Sequence, residues 1–299
     1  MLYNNLSGYF REKYGKRLSK ICIDGGFSCP NRDGKCGRGG CIYCGERGAG
    51  EHIDARLSIR EQVEKGLAGR GDGNKFAAYF QNFSNTYAKA ETLKERYDSA
   101  LIDKRIVALA IGTRPDCISE ETAALIAEYK KKVDVWVELG LQTSNDKTAE
   151  IINRGYKTEV FESAVKILDK YKIPVVAHMI VGLPKENETD AVNTAKYISE
   201  LGIRGIKIHS IYVMSGTPLA DMYEKKLYTP PTVEEYVNTV AKIISILPRD
   251  MVIHRLTGDC PKDRLIAPAW NKDKNAVISA INERLTALGL SQGSNFQTE

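Results

Sequence analysis

No apolar run in the 299-residue chain approaches the roughly 18 residues that a membrane span needs. The N-terminus, MLYNNLSGYFREKYGKRLSK, also lacks the continuous apolar stretch of a signal peptide. The expectation is a cytoplasmic protein with no membrane partner. Low-complexity tracts and motif-grade repeats are absent. Neither sign of charge dominates: 43 Lys and Arg stand against 38 Asp and Glu, a net charge of +5. That balance permits a polyanionic partner without requiring one. With 42% hydrophobic and 27% charged residues, the composition is that of a folded chain and not a disordered one.

A disulfide framework is not expected either. The seven cysteines are odd in number, four of them fall between Cys29 and Cys44, and no secretory signal accompanies them. Clustered cysteines in such a chain point to metal or redox chemistry.

What is present is an alternation of element types. Short β-branched runs recur at 20–24, 76–80, 106–111, 133–139, 174–181 and 205–213. Between them, 57–67, 89–101, 119–131, 159–171, 190–201 and 233–246 place apolar residues at helical spacing. Alternating strand and helix predicts a parallel sheet with covering helices, closed into a barrel or part-barrel or doubly wound. Ser119 suits a helix N-cap and Gly202 a C-cap. Residues 25–50 break the alternation with a glycine-rich loop too long to be a plain connection.

That loop reads GGFSCPNRDGKCGRGGCIYCGERGAG. Cys41 and Cys44 form a C-x-x-C pair, with Cys29 and Cys36 upstream. Zinc would take four ligands, the fourth being Cys36 or His52. An iron–sulfur cluster on three thiolates would keep one iron open. The residues alone leave both readings standing.

Their context resembles the radical S-adenosylmethionine (SAM) superfamily. Its usual spacing is C-x3-C-x2-C with an aromatic residue before the last cysteine, here Tyr43. The widened gap, Cys29-x11-Cys41-x2-Cys44, is similar to subgroups related to the catalytic subunit of the elongator complex. The run CPNRDG…GGCIYC resembles the bacterial YhcC/YtqA group, as do YFQNFSNTYA, IGTRPDC, ELGLQT, HMIVGLPKE and RLTGD…APAW. The resemblance covers about residues 3–275. It implies an α/β fold, a partial (β/α)6 TIM-type barrel with N-terminal and C-terminal extensions. One domain spans 1–299, with a basic extension at 1–18, a barrel core at 19–215 carrying the loop 25–50, and a C-terminal extension at 216–299.

The resemblance also implies a 4Fe-4S cluster on Cys29, Cys41 and Cys44, with Cys36 outside the ligand set. The open iron would chelate SAM, and one electron would cleave SAM to a deoxyadenosyl radical that takes a hydrogen atom from substrate. Functional residues of a parallel barrel lie at the C-terminal ends of its strands. Candidates for SAM contacts are Tyr43, Gln81 and Asn82 after the second strand, Glu138 and Gln142 on the fourth, Arg154, His178 on the fifth, and Gly182-Leu183 beyond it. Candidates for catalysis are Arg114, Cys117 and Glu138. Each has a plainer reading: an Arg114–Asp116 ion pair, a buried small thiol at Cys117, carbonyl capping by Arg154, and a core histidine at His178.

Residues 1–20 hold five basic side chains against Glu12, and the segment after residue 250 interleaves His254, Arg255, Lys262, Arg264, Lys272 and Lys274 with Trp270. Such edges suit phosphate and base contacts. With the elongator kinship, they make tRNA the expected substrate, at the wobble uridine side chain, and a small reductant protein such as a flavodoxin or ferredoxin the expected electron donor. The competing readings are a radical enzyme acting on a small molecule, a zinc-stabilised nucleic-acid-binding module, and an iron–sulfur electron carrier.

Overall fold

The computed structural model describes residues 2–48 and 53–297. In chain order the strands are β1 (Leu18–Ile23), β2 (Lys75–Phe80), β3 (Ile106–Thr113), β4 (Asp134–Gln142), β5 (Val175–Val181), β6 (Gly205–Ser210), β7 (Val213–Met214), β8 (Val252–Arg255) and β9 (Leu265–Ala267). The helices are α1 (Leu6–Tyr14), α2 (Ile59–Leu67), α3 (Ala90–Ala100), α4 (Glu120–Tyr129), α5 (Asp146–Ile151), α6 (Thr158–Lys170), α7 (Glu188–Glu200), α8 (Pro218–Glu224), α9 (Val233–Ile246) and α10 (Lys274–Ala287). Among the described residues no helix is long and apolar enough to cross a membrane.

One parallel sheet of seven strands runs β1-β2-β3-β4-β5-β6-β8. It curls into the expected partial barrel but has one strand more than the six expected. The seventh, β8, comes from the segment read as a C-terminal extension. Its four residues, VIHR, are too short and too polar to register as an apolar run. The run at 205–213 divides instead of forming one strand: β6 ends at Ser210, and β7 pairs antiparallel with β9 outside the barrel.

Alternation along the strands sorts the side chains. Phe76, Ala78 and Phe80 of β2, Val135, Val137 and Leu139 of β4, and Ile206 and Ile208 of β6 join the continuous core under the helices. The alternate positions face inward. Near the strand starts they are apolar: Leu18, Ala77, Ala108, Ala110, Trp136 and Val176 pack with Phe10. Helix α1 supplies that Phe10. It touches both β1 and β8, the two edges of the open sheet, and so plugs the gap at the N-terminal ends of the strands. Lys13 pairs with Asp134 at 2.8 Å, and Tyr14 hydrogen-bonds the same carboxylate. The basic N-terminal segment therefore lies at the end of the barrel remote from the cysteine loop.

Ser119 caps α4 in a capping box with Thr122, as the sequence suggests. Gly202 sits just beyond α7 with φ +66°, a conformation glycine adopts without strain.

Candidate active site

The C-terminal ends of the strands open into a cavity of about 500 Å³. Its wall contains Cys29, Cys41 and Cys44 from the loop after β1, with inward side chains of β2, β4, β5 and β6 below them.

The cysteine loop is docked by its backbone onto the segment after α5. Ile42 N donates to Ile152 O at 3.1 Å. Asn31 Nδ2 donates to Asn153 O at 2.6 Å, and Asn153 Nδ2 returns a bond to Gly40 O at 2.7 Å. Arg32 gathers the far side of the loop, donating to Cys44 O at 3.3 Å and Gly45 O at 2.6 Å while its guanidinium lies over the Phe83 ring. Gly40, at φ +76°, leaves room for Arg32: a Cβ there would come within 2.9 Å of its Nε. A loop with so few apolar side chains is thus ordered by polar contacts.

The three thiols differ in acidity. The Cys44 thiol beside it, with Tyr43, Arg114 and Asn31 and against the effect of burial, lowers Cys41 to about 6. Cys44, as the partner that keeps its proton, is pushed well up, and burial raises Cys29. Among the described residues no three His, Cys, Asp or Glu side chains converge as ligands of a single metal ion would. The closure expected of a zinc site is not assembled there. His52, one candidate for it, lies outside the described residues. Cys36 is exposed and off the cavity wall.

At the cavity floor one carboxylate meets two lysines and a histidine. Glu138 is 1% exposed. It pairs with Lys207, receives His178 Nε2 at 2.9 Å and has Lys20 Nζ at 3.5 Å. Trp136 Nε1 donates to it at 3.0 Å. Burial opposes its charge, but Lys207, Lys20 and His178 together hold Glu138 well below the usual carboxylate range. Lys207 also donates to the Tyr79 hydroxyl at 3.0 Å. Burial lowers His178 to about 4, and it drives His209 far down too, reinforced by the charges of Arg255 and Lys207. Both imidazoles are neutral. His209 also lines the cavity, and its buried Nε2 has no hydrogen-bond partner.

The remaining candidates separate into three groups. Tyr43, Gln81, Gln142, His178 and Glu138 stand on the cavity wall. Gln142 is turned there by φ +68° at an irregularity in the β4–β5 register.

Arg114 and Arg154 also reach the wall, but all five donors of Arg154 and three of the five of Arg114 are committed. Arg154 uses all five N–H groups, on Leu141 O, Thr143 O, Tyr156 O, Asp146 and Thr158. It caps carbonyls and has no donor left for a SAM carboxylate. Arg114 forms a two-pronged ion pair with Asp116, donates to Arg154 O at 2.9 Å and stacks on Tyr156. It ties the turn after β3 to the segment after α5.

Asn82, Cys117, Gly182 and Leu183 are not on the wall. Asn82 is buried behind it, bonded to Asp24 at 2.6 Å. Cys117 lies against Asp116, its thiol pushed up to about 12 chiefly by burial. A thiol that rarely ionises is a poor redox group. Gly182 is covered by Pro231 and Ile211, and Leu183 packs in the apolar cluster around α8.

The sequence reading passed over Lys207, Tyr79, Tyr156, Tyr212, Asp259 and Cys260, all on the wall. Lys207 and Tyr79 carry a signal in retrospect: each interrupts the inward row of its strand with a polar group. Asp259 and Cys260 arrive from the loop after β8, so only the unexpected seventh strand brings them in.

Comparison with known proteins agrees with this arrangement. The model of the radical SAM superfamily matches residues 34–198, and that of the radical SAM C-terminal domain matches residues 203–287. The chain is 38% identical to YtqA of Bacillus subtilis, over 99% of its own length and 93% of that protein's. It is 33% identical to YhcC of Escherichia coli, over 98% and 95% of the two. A tRNA uridine(34) acetyltransferase of Methanocaldococcus jannaschii is 29% identical over 53% of this chain and 29% of that protein. Among solved structures, an N-terminally truncated Elp3 of Methanocaldococcus infernus superposes with a TM-score of 0.70 at 19% identity. The match covers 92% of this chain and 64% of that one, and it speaks for the fold. With cysteine loop, half-barrel and cavity in place, the chain belongs to the radical SAM superfamily.

Proposed function

We propose that this radical SAM enzyme holds a 4Fe-4S cluster on Cys29, Cys41 and Cys44 and modifies tRNA at the side chain of the wobble uridine. The observation that carries the reading is the meeting of three thiols with a polar barrel interior in one cavity. The donor set fits the group: three thiolates leave one of four irons open, and a cluster asks each sulfur for a different iron, not for convergence on one ion. When bound, the reduced cluster supplies the electron that cleaves SAM to a deoxyadenosyl radical.

The chain's own residues bind and orient. Arg32, Asn31 and Asn153 fix the loop that carries the thiols. Tyr43, Gln81 and Gln142 offer polar contacts for SAM on the wall. Glu138, His178 and Lys207 form a rigid charged floor beneath the substrate, and Tyr79 braces it. The substrate assignment is supported by the matched tRNA uridine(34) acetyltransferase and by the charge around the mouth. The loop that carries the thiols presents exposed Lys35 and Arg38, and the segment after β8 presents exposed Lys262 beside wall residues Arg255 and Pro261. Both segments can meet phosphates while a base enters between them. A flavodoxin- or ferredoxin-like protein is the proposed electron donor.

The test is deoxyadenosine formation from SAM by anaerobically reconstituted, reduced protein, with and without bulk tRNA. Product from the parent but not from Cys41→Ser supports the chemistry, and stimulation by tRNA supports the substrate. Turnover that is indifferent to tRNA moves the weight to a small molecule. A loaded cluster with no deoxyadenosine refutes the reading.

A further inference from the structure

We propose that Asn31 is a positioning residue that holds an amide N–H against the Cys41 sulfur and thereby raises the reduction potential of the cluster. The inference rests on the reading that Cys29, Cys41 and Cys44 carry that cluster.

Asn31 follows Cys29 by two residues and is 0% exposed. A buried carboxamide is costly unless its groups are used. Its orientation is fixed by a neighbour. The Asn153 carbonyl lies 2.6 Å from Nδ2, and only the NH2 end can face an acceptor. The second N–H is then directed toward Cys41, with Nδ2 3.9 Å from Sγ.

The other end of the amide explains two glycines. Asn31 Oδ1 has no hydrogen-bond partner. It is instead pressed between Gly37 and Gly155, where a Cβ would stand 2.2 Å and 2.8 Å from it. Gly155, at φ +80°, also adopts a conformation that side chains resist. Backbone on both sides therefore keeps the amide plane from turning. Leaving a buried carbonyl oxygen unpaired is a cost that a simple loop tie would avoid by using a smaller side chain.

The consequence is electrostatic. Reduction adds negative charge to the cluster and its sulfurs. A fixed N–H dipole aimed at one of those sulfurs stabilises the reduced state more than the oxidised one. In a site with little water the effect is not screened away. Removing the donor must move the potential downward, which makes the cluster harder to reduce by a given donor protein.

The experiment has two arms on anaerobically reconstituted protein of verified iron and sulfide content. In the first, wild-type protein carrying amide-15N asparagine is reduced and its cluster is examined by pulsed EPR. A 15N coupling with an exchangeable proton beside it, lost in Asn31→Asp, is expected. In the second, the midpoint potential of Asn31→Leu is titrated against the parent. The expected shift is negative, about a tenfold change in the oxidised-to-reduced ratio at fixed applied potential, or about 59 mV for one electron. Absence of the 15N coupling in the wild-type cluster overturns the inference. So does an unchanged potential in a fully loaded Asn31→Leu. If that variant fails to load, the wild-type spectrum decides alone. Parent protein that binds no cluster overturns the functional reading itself, and this inference with it.

Discussion

His178 Nε2 on β5 stands 2.9 Å from Glu138 Oε2 on β4, and the same carboxylate oxygen pairs with Lys207 on β6. Three adjacent strands thus place one anion, one cation and one neutral ring in a single inward layer. The carboxylate fixes the tautomer of His178, with the proton on Nε2. The layer lies directly above the apolar plug formed by Trp136 and Phe10, and so forms the floor of the cavity.

Glu138→Gln should be strongly destabilising. The amide keeps the shape but leaves Lys207 buried without a counter-charge. Loss of one partner of a buried pair costs up to about 3–5 kcal/mol, and less to the extent that Lys207, which burial lowers to about 7, gives up its proton. Adding Lys207→Met to it should recover part of the loss, because the stranded cation is gone. Denaturant unfolding of the cluster-free single and double variants measures both effects. A double variant less stable than Glu138→Gln would show that Lys207 matters for something other than this pairing.

The cluster-free protein should lose stability as pH falls from about 6.5 toward 4. Burial holds His178 near 4, and His209 and His254 are also far below the ordinary value near 6.5. In that window the unfolded chain binds protons that the folded chain refuses, so acid favours unfolding. For His178 alone, at about 1.4 kcal/mol per pH unit, the loss reaches roughly 3 kcal/mol at the bottom of the window. Stability curves collected from pH 8 to pH 4 test this, and His178→Gln should flatten the slope. An identical slope in that variant would place the acid sensitivity elsewhere.

Arg32→Ala should loosen the cysteine loop without unfolding the barrel. Arg32 donates to the carbonyls of Cys44, Gly45 and Glu46, and its guanidinium lies over Phe83 in the loop after β2. Hydrogen exchange should rise in residues 29–48, and iron retained after reconstitution should fall. The unfolding midpoint of the cluster-free protein should move little. Uniformly raised exchange over β2 to β6 would instead mean that the loop supports the whole sheet.

The fold was largely legible in the sequence because buried parallel strands repeat so plainly. Val175 to Val181 and Ile106 to Thr113 are apolar on both faces, and their helices carry a 3.6-residue stripe. Strand β8 escaped because pairing along β6, and not its own composition, makes VIHR a strand. The cysteine loop was legible from spacing. The allegiance of Arg154 was not: its five acceptors come from 141 to 158, and only the turn after β4 brings them around one guanidinium. Cys117 and Gly182 looked available because they follow strand ends. Yet the chain bends there, Cys117 behind Asp116 and Gly182 under Pro231. Lys207 was passed over because a lysine in a strand usually reaches solvent along its stem. Here the stem faces the barrel interior, which α1 closes between β1 and β8, and Glu138 and Tyr79 hold the ammonium there.

The same closure reassigns the basic N-terminus and supplies the last prediction. Arg11 and Arg17 are exposed on or beside α1, at the end of the barrel away from the cavity. Lys35, Arg38 and Lys262 are exposed in the segments that flank the mouth. If tRNA is bound at the mouth, each of Lys35→Ala, Arg38→Ala and Lys262→Ala should weaken binding and lower the salt slope by about one. The pair Arg11→Ala with Arg17→Ala removes comparable charge and should leave the slope near its parent value. Filter binding of bulk tRNA across a salt series separates the two sets. If the N-terminal pair carries the larger effect, RNA approaches over α1, and the uridine would then have to reach the cavity around the edge of the sheet and not directly through its mouth.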